Sequence, residues 1–158
     1  MQNAKQILEA MRKLGTQRLP LTRVYRCLYS EDLFLAAYNR LYSNTGAMTP
    51  GTEDDTADRM SMARIRSIIE QLRAERFRFR PARRTYLKKK NGGQRPLGIP
   101  NFTDKLVQEA LRQLLEAYYE PRFSAHSHGF RPQRGCHSAL GEIVNEWRGV
   151  KWFIEGDI

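Results

Sequence analysis

Between Pro100 and Pro121, the residues Leu106, Val107, Ala110, Leu111, Leu114, Leu115 and Tyr118 recur at helical spacing. The spacing predicts one long helix whose apolar face is broad enough to mark it as core. Four further segments read as helices. Ile7, Leu8, Met11 and Leu14 form a short amphipathic helix that Gly15 and Pro20 stop. Ser30 is placed to cap a second, with Glu31 and Asp32 at its positive end and Leu33, Phe34, Ala37, Tyr38 and Leu41 on one face, ending before Asn44. Ser61 caps a third, on which Met62, Ile65, Ile68, Ile69, Leu72 and Phe77 follow the 3.6 period and Arg64, Arg66 and Arg73 fall elsewhere. A last helix carries Ala139, Leu140, Ile143, Val144 and Trp147.

Two short runs, Tyr86 to Lys90 and Gln94 to Ile99, flank Asn91-Gly92-Gly93, where glycine can take the positive φ of a tight turn. They predict a β-hairpin. Lys151 to Ile158 alternates, with Trp152, Ile154 and Ile158 on one face and Phe153, Glu155 and Asp157 on the other, which reads as a strand. A natural domain rarely ends inside an unfinished strand, so a truncated chain is expected. Residues 44–59 and 122–135 have loop chemistry, and the first of these is the clearest subdomain boundary. The expected fold class is α+β, mainly helical with one hairpin. With 158 residues and 41% hydrophobic content, the chain suffices for one ordinary domain or two small subdomains.

Lys and Arg number 27 against 17 acids, a formal charge of +10 that points to a polyanionic partner, nucleic acid first. The charge is concentrated between Arg73 and Arg95, where ten basic residues face the single acid Glu75. A solvated face is the plain alternative. Against it, Phe77, Phe79 and Tyr86 are interleaved with the cations and can stack on bases. Lysines and an arginine around a glycine turn also suit a triphosphate, and composition leaves strand backbone and nucleotide both open. No membrane partner is expected, because the longest clearly apolar run, Leu33 to Tyr38, is far shorter than a bilayer span.

Cys27 and Cys136 stand apart, so neither a disulfide scaffold nor a zinc knuckle is expected, and a reducing compartment fits. Asn101-Phe102-Thr103 matches a glycosylation sequon but has no secretory context, and the first twenty residues make a poor targeting signal. His126, His128 and His137 lack the partners of a zinc site and read as structural hydrogen bonders or RNA contacts. Asp157 ends an apolar run, a place from which a rigid element can present a carboxylate to a cation, although such residues are more often turn residues.

Four ordered blocks resemble one family. They are Asn44-Thr-Gly46-Ala47-Met-Thr49-Pro50-Gly51; Arg83 through the Asn-Gly-Gly turn to Arg95-Pro96-Leu97-Gly98-Ile99-Pro100, with Asp104-Lys105 and Gln108; Tyr119 to Phe123 with Ser127 to Ala139; and Phe153-Ile154-Glu155-Gly156-Asp157-Ile158. Their order resembles the group II intron reverse transcriptases, from about residue 25 to the end. The resemblance implies the fingers and partial palm of a right-hand polymerase, RNA-directed DNA synthesis, and a maturase role in intron splicing. It implies an N-terminal extension over 1–59, fingers over 60–150 and a truncated palm start over 151–158.

By position, Lys89 and Arg95 match residues that contact the incoming triphosphate, and Asp157 matches the first metal-binding, catalytic carboxylate. RNA contacts are expected from Arg76, Arg78, Arg80, Arg83, Arg84, Lys88, Lys90, Arg131 and Arg134. The implied partners are intron RNA and, for the full-length parent, an RNA template with DNA primer and dNTPs. The parent's cofactor is Mg²⁺, with none expected bound in this fragment, because one aspartate cannot hold two metals. The 158 residues alone are therefore expected to be inactive, and an unfinished strand to favour self-association. The implied location is bacterial cytoplasm near the nucleoid or an organellar matrix. The competing readings are a non-catalytic RNA-binding splicing cofactor and a CRISPR-linked or phage-defence reverse transcriptase.

Overall fold

The computed structural model describes residues 3–90 and 92–156. Along the chain lie α1 (Ala4–Thr16), a 3-10 helix (Val24–Tyr29), α2 (Glu31–Tyr42), a short 3-10 turn (Ala57–Arg59), α3 (Met62–Arg73), β1 (Arg83–Lys88), β2 (Gln94–Ile99), α4 (Phe102–Tyr119) and α5 (Cys136–Glu146). Mainly helical with one antiparallel hairpin, the architecture agrees with the α+β expectation. Two compact units divide it, Met1–Pro121 and Arg122–Ile158.

In the first unit α4 is the central element, as its apolar breadth predicts. Leu106, Val107, Ala110 and Leu114 are buried with Ile7 and Met11 of α1, Leu33, Phe34 and Ala37 of α2, and Ile65, Ile68 and Leu72 of α3. Gly15 lets α1 close on α4: a Cβ there would stand 2.0 Å from the Tyr118 carbonyl oxygen. The helix starts follow local chemistry. Asn3 and Gln6 form a capping box on α1, Ser30 Oγ accepts from the Leu33 N–H at 3.3 Å on α2, and Ser61 Oγ accepts from the Arg64 N–H at 3.3 Å on α3.

Sequence periodicity extends α3 to Phe77, and here the structure differs. Glu75 adopts left-handed φ (55°), and the Arg76 N–H returns to the Gln71 carbonyl at 2.9 Å. This closure turns the chain, so Phe77 packs against the core from outside the helix. Val24–Tyr29, which carries no helical signature in the sequence, is a 3-10 helix whose Leu28 is buried. The 44–59 segment lies inside the first unit, between helices that share one core.

A charged knot joins α2 to α4. Glu109, 8% exposed, accepts from Arg112 Nε at 2.7 Å, Arg112 Nη2 at 2.8 Å and Gln113 Nε2 at 3.2 Å, with Arg40 Nε 3.5 Å away. Burial acts to raise its pKa, but the hydrogen bonds from Arg112 and Gln113 and the two arginine charges outweigh it and hold the carboxyl below the usual range. A depressed folded pKa means stability that is complete above the unfolded glutamate value of about 4.3 and lost as pH falls through the folded value. Glu109→Gln is expected to lower unfolding free energy by about 1 to 2 kcal/mol near neutral pH, with the difference shrinking as pH falls through the folded value of Glu109, as read by denaturant titration across that acid range.

In the second unit none of the described residues is buried. Leu140, Ile143 and Val144 of α5 are exposed, as are Trp152, Phe153 and Ile154. The expected strand over 151–158 is corrected: residues 151–156 have no regular structure, and Asp157 and Ile158 lie outside the described residues. Alternating side chains do not suffice for a strand, whose backbone groups need a neighbouring strand, and among the described residues the hairpin is the whole of the sheet.

Candidate nucleic-acid interface

The register of the hairpin fixes which cations share a face. Arg83 lies opposite Ile99, Thr85 opposite Leu97 and Leu87 opposite Arg95; between them, Arg84 lies opposite Gly98, Tyr86 opposite Pro96 and Lys88 opposite Gln94. Because successive side chains alternate, Arg95 shares its face with Arg83, Thr85 and Leu87, and Lys89 continues that alternation towards the turn. Arg84, Tyr86 and Lys88 occupy the other face. The turn is closed by the Lys89 N–H to the Gly93 carbonyl at 2.8 Å, with Gly92 at φ 80°.

The base of the hairpin is strapped to the 44–59 loop and to the first turn of α4. Arg83 donates through Nε and Nη2 to the Pro50 carbonyl at 3.2 and 3.0 Å, and Thr52 Oγ1 donates to the Pro81 carbonyl at 3.2 Å. Asn101, fully buried, accepts from the Glu53 N–H at 3.1 Å and donates to Thr52 Oγ1 at 3.2 Å. Asp55 Oδ2 accepts from the Thr103 N–H at 2.8 Å, and Oδ1 stands 2.8 Å from Arg64 Nη2. Lys105 Nζ donates to the Thr49 carbonyl at 3.0 Å, and burial lowers its pKa. Asp104 accepts from the Arg80 N–H at 3.2 Å, and burial together with the neighbouring Asp55 pushes its pKa up. Gly51 is required here, because a Cβ would meet Asn101 Oδ1 at 2.2 Å.

These straps divide the cations read from the sequence. Arg83 is tied to Pro50, Arg80 pairs with Glu53, and Arg78 Nη1 donates to the Glu75 and Phe77 carbonyls at 3.0 and 2.9 Å. Arg76, Arg84, Lys88, Lys89, Lys90 and Arg95 are exposed, and their charged groups meet no acceptor among the described residues. A cleft of about 140 Å³ is lined by Arg64, Gln71, Phe77, Arg78, Arg80 and Asp104 and by none of those exposed cations. Its Arg64 and Arg80 guanidinium groups are paired with Asp55 and Glu53, and that of Arg78 donates to backbone carbonyls, so it is no concentration of free positive charge.

Within the second unit, Arg131 and Arg134 hold their own loop. Arg131 Nη1 donates to the Ser124 and Ser127 carbonyls, both at 2.8 Å, and Arg134 Nη1 donates to those of Ala125 and Ser127. His128 bonds Ser138 Oγ through Nδ1 and Glu142 through Nε2, each at 2.8 Å, and His126 bonds the same Glu142 carboxylate. Hydrogen bonds from His126 and His128 hold the Glu142 carboxyl below its usual range. The structural role read for these two histidines is the one observed. Among the described residues no group of three or more His, Cys, Asp or Glu side chains is placed to hold a metal ion.

Two kinds of likeness accompany this geometry. The family described as "Reverse transcriptase (RNA-dependent DNA polymerase)" matches residues 87–158. The chain is 51% identical over 155 residues to the group II intron-encoded protein LtrA of Lactococcus lactis subsp. cremoris, covering 96% of this chain and 26% of that protein. It is 54% identical over 131 residues to an uncharacterized 91 kDa protein in the cob intron of Schizosaccharomyces pombe, covering 83% of this chain and 16% of the relative. A shorter match, 44% over 59 residues, links it to nuclear intron maturase 1, mitochondrial, of Arabidopsis thaliana. The chain thus spans about a quarter or less of the length of these relatives.

Proposed function

Because the chain belongs to the group II intron reverse transcriptase/maturase family, we propose that it forms the RNA-binding extension, fingers and first part of the palm of an intron-encoded RNA-directed DNA polymerase that also assists splicing. On this reading residues 1–59 are the extension, 60–150 the fingers and 151–158 the start of the palm of a right-hand fold. The observation that carries the proposal is the strapped hairpin, which holds exposed cations on both faces around a glycine turn.

Lys89 and Arg95 share one face at the turn, the arrangement that suits closure over a triphosphate. Arg76, Arg84, Lys88 and Lys90 serve the RNA backbone, with Arg78, Arg80 and Arg83 adding charge from anchored positions. Arg131 and Arg134 act chiefly through the loop that they hold. The partners are intron RNA and, in the parent, template, primer and dNTPs. That the matched relatives are intron proteins favours this reading over a defence enzyme or a non-catalytic cofactor. Among the described residues, no helix is long and apolar enough to cross a membrane.

Mg²⁺ would supply charge neutralisation in the parent, with Asp157 as one ligand. The described residues do not by themselves form a complete site for it. The reading is tested by Lys89→Ala and Arg95→Ala in the full-length enzyme. Each is expected to raise the apparent KM for dNTPs by roughly tenfold or more while RNA affinity stays within about threefold. Loss of RNA binding in step with nucleotide use would contradict the assignment.

A further inference from the structure

The hairpin has two unlike faces, and only one is accounted for by nucleotide capture. The second carries Arg84, Tyr86 and Lys88 on β1, each opposite a residue of little bulk or charge: Gly98, Pro96 and Gln94. Strand geometry spaces alternate residues by about 6.7 Å, so the Tyr86 ring is flanked on both sides by a cation on the same surface. The ring is 55% exposed and meets no hydrogen-bond or aromatic partner among the described residues. At Gly98 an added Cβ would meet only Ala82 Cβ at 3.4 Å, so the surface beside the tyrosine is open.

The other aromatics of the basic stretch are used differently. Phe77 packs on the core, and Phe79 sits edge-on to it with ring centroids 5.3 Å apart. Tyr86 alone of the three stands between two cations with no aromatic neighbour. Leaving a large aromatic half in water forgoes part of the stabilisation its burial would give, while Arg83 and Thr52 tie the base of this hairpin to the 44–59 loop. An aromatic surface between two cations binds single strands, because phosphates meet the cations and any base offers a π-face to the ring.

We infer that the Arg84–Tyr86–Lys88 face is a single-stranded RNA site in which Tyr86 stacks on an unpaired base, separate from the Lys89–Arg95 face across the hairpin. The site rests on the reading of the chain as RNA-binding and adds to it a ligand class and a side of the sheet. It predicts preference for unpaired over duplex RNA, since stacking needs a base face free of its neighbour.

The 158-residue protein, titrated with a fluorescent oligouridylate and with a duplex RNA of equal length, provides the test. Tyr86→Ala is expected to weaken oligouridylate binding by at least about fivefold with the salt slope unchanged, and Tyr86→Phe to stay within about twofold of the parent. Arg84→Gln is expected to reduce the salt slope by about one. Leu87→Ala, on the opposite face, controls for damage to the hairpin and is expected to bind oligouridylate normally. The inference is overturned if Tyr86→Ala binds like the parent, if Tyr86→Phe is as weak as Tyr86→Ala, or if Leu87→Ala falls equally. Failure of the unsubstituted protein to bind any RNA would refute the proposed function as well, whereas intact RNA binding with an indifferent Tyr86 refutes only the site.

Discussion

Asp157→Asn, placed in a chain extended through the rest of the palm and the thumb, is expected to abolish primer extension while leaving RNA affinity unchanged. The reasoning is electrostatic. Two-metal phosphoryl transfer needs several carboxylates to hold the ions about 3.5 to 4 Å apart and to balance their charge. Asparagine keeps the size and one oxygen of the side chain but removes its charge, so residue 157 would hold a divalent cation less well. RNA binding is spared because the cations proposed to meet the RNA backbone, Arg76 to Lys90, lie on the hairpin or just before it, more than sixty residues earlier in the chain. No extension is expected of the 158 residues alone either, because among the described residues no group of three or more His, Cys, Asp or Glu side chains is placed to hold a metal ion. Primer extension assays on both proteins decide the matter: full activity of the substituted enzyme, or polymerisation by the short chain, would contradict the assignment.

How far the sequence leads depends on the distance over which each interaction acts. Ser30 and Ser61 are legible as caps because each bonds an N–H three residues on, and the Asn-Gly-Gly turn is legible because its closing bond spans Lys89 to Gly93. The straps that aim the hairpin are another matter. Asn101 meets Glu53 and Thr52 across 48 and 49 residues, Asp55 meets Thr103 across 48, and Arg83 meets the Pro50 carbonyl across 33. A Gly-Pro-Thr-Asp stretch gives no sign of such partners, so in sequence the brace reads only as a loop.

The site itself divides in the same way. The basic stretch and its turn are visible as composition, and the common face of Lys89 and Arg95 follows once the register is known. Which cations are already engaged is not visible. Arg78 and Arg80 look identical to Arg76 in sequence, yet the first turns back on its own backbone and the second finds Glu53. Phe77 fits the helical period of α3, but the left-handed residue Glu75 breaks the helix before it. Likewise His126 and His128 lie 16 and 14 residues from Glu142, so their shared carboxylate is invisible to any spacing rule for metal ligands.

A sequence-independent grip on phosphate is the second large effect, and it follows from exposed cations rather than from any base-reading arrangement. Arg76, Arg84, Lys88, Lys89, Lys90 and Arg95 are exposed and meet no acceptor among the described residues, while Arg73 of the same stretch lies over the Tyr29 ring. Six phosphate contacts release enough counterions to cost roughly a thousandfold in affinity between 50 and 200 mM salt, less if some serve nucleotide instead. The central claim, that this basic hairpin is an RNA-binding surface, is therefore tested most directly by titrating the 158-residue protein against structured intron RNA over that salt range. Tight binding at low salt and a linear fall of log affinity with log salt, spanning about two to three orders of magnitude, are expected. Affinity that stays nearly flat with salt, or no binding even at the lowest salt, would contradict it.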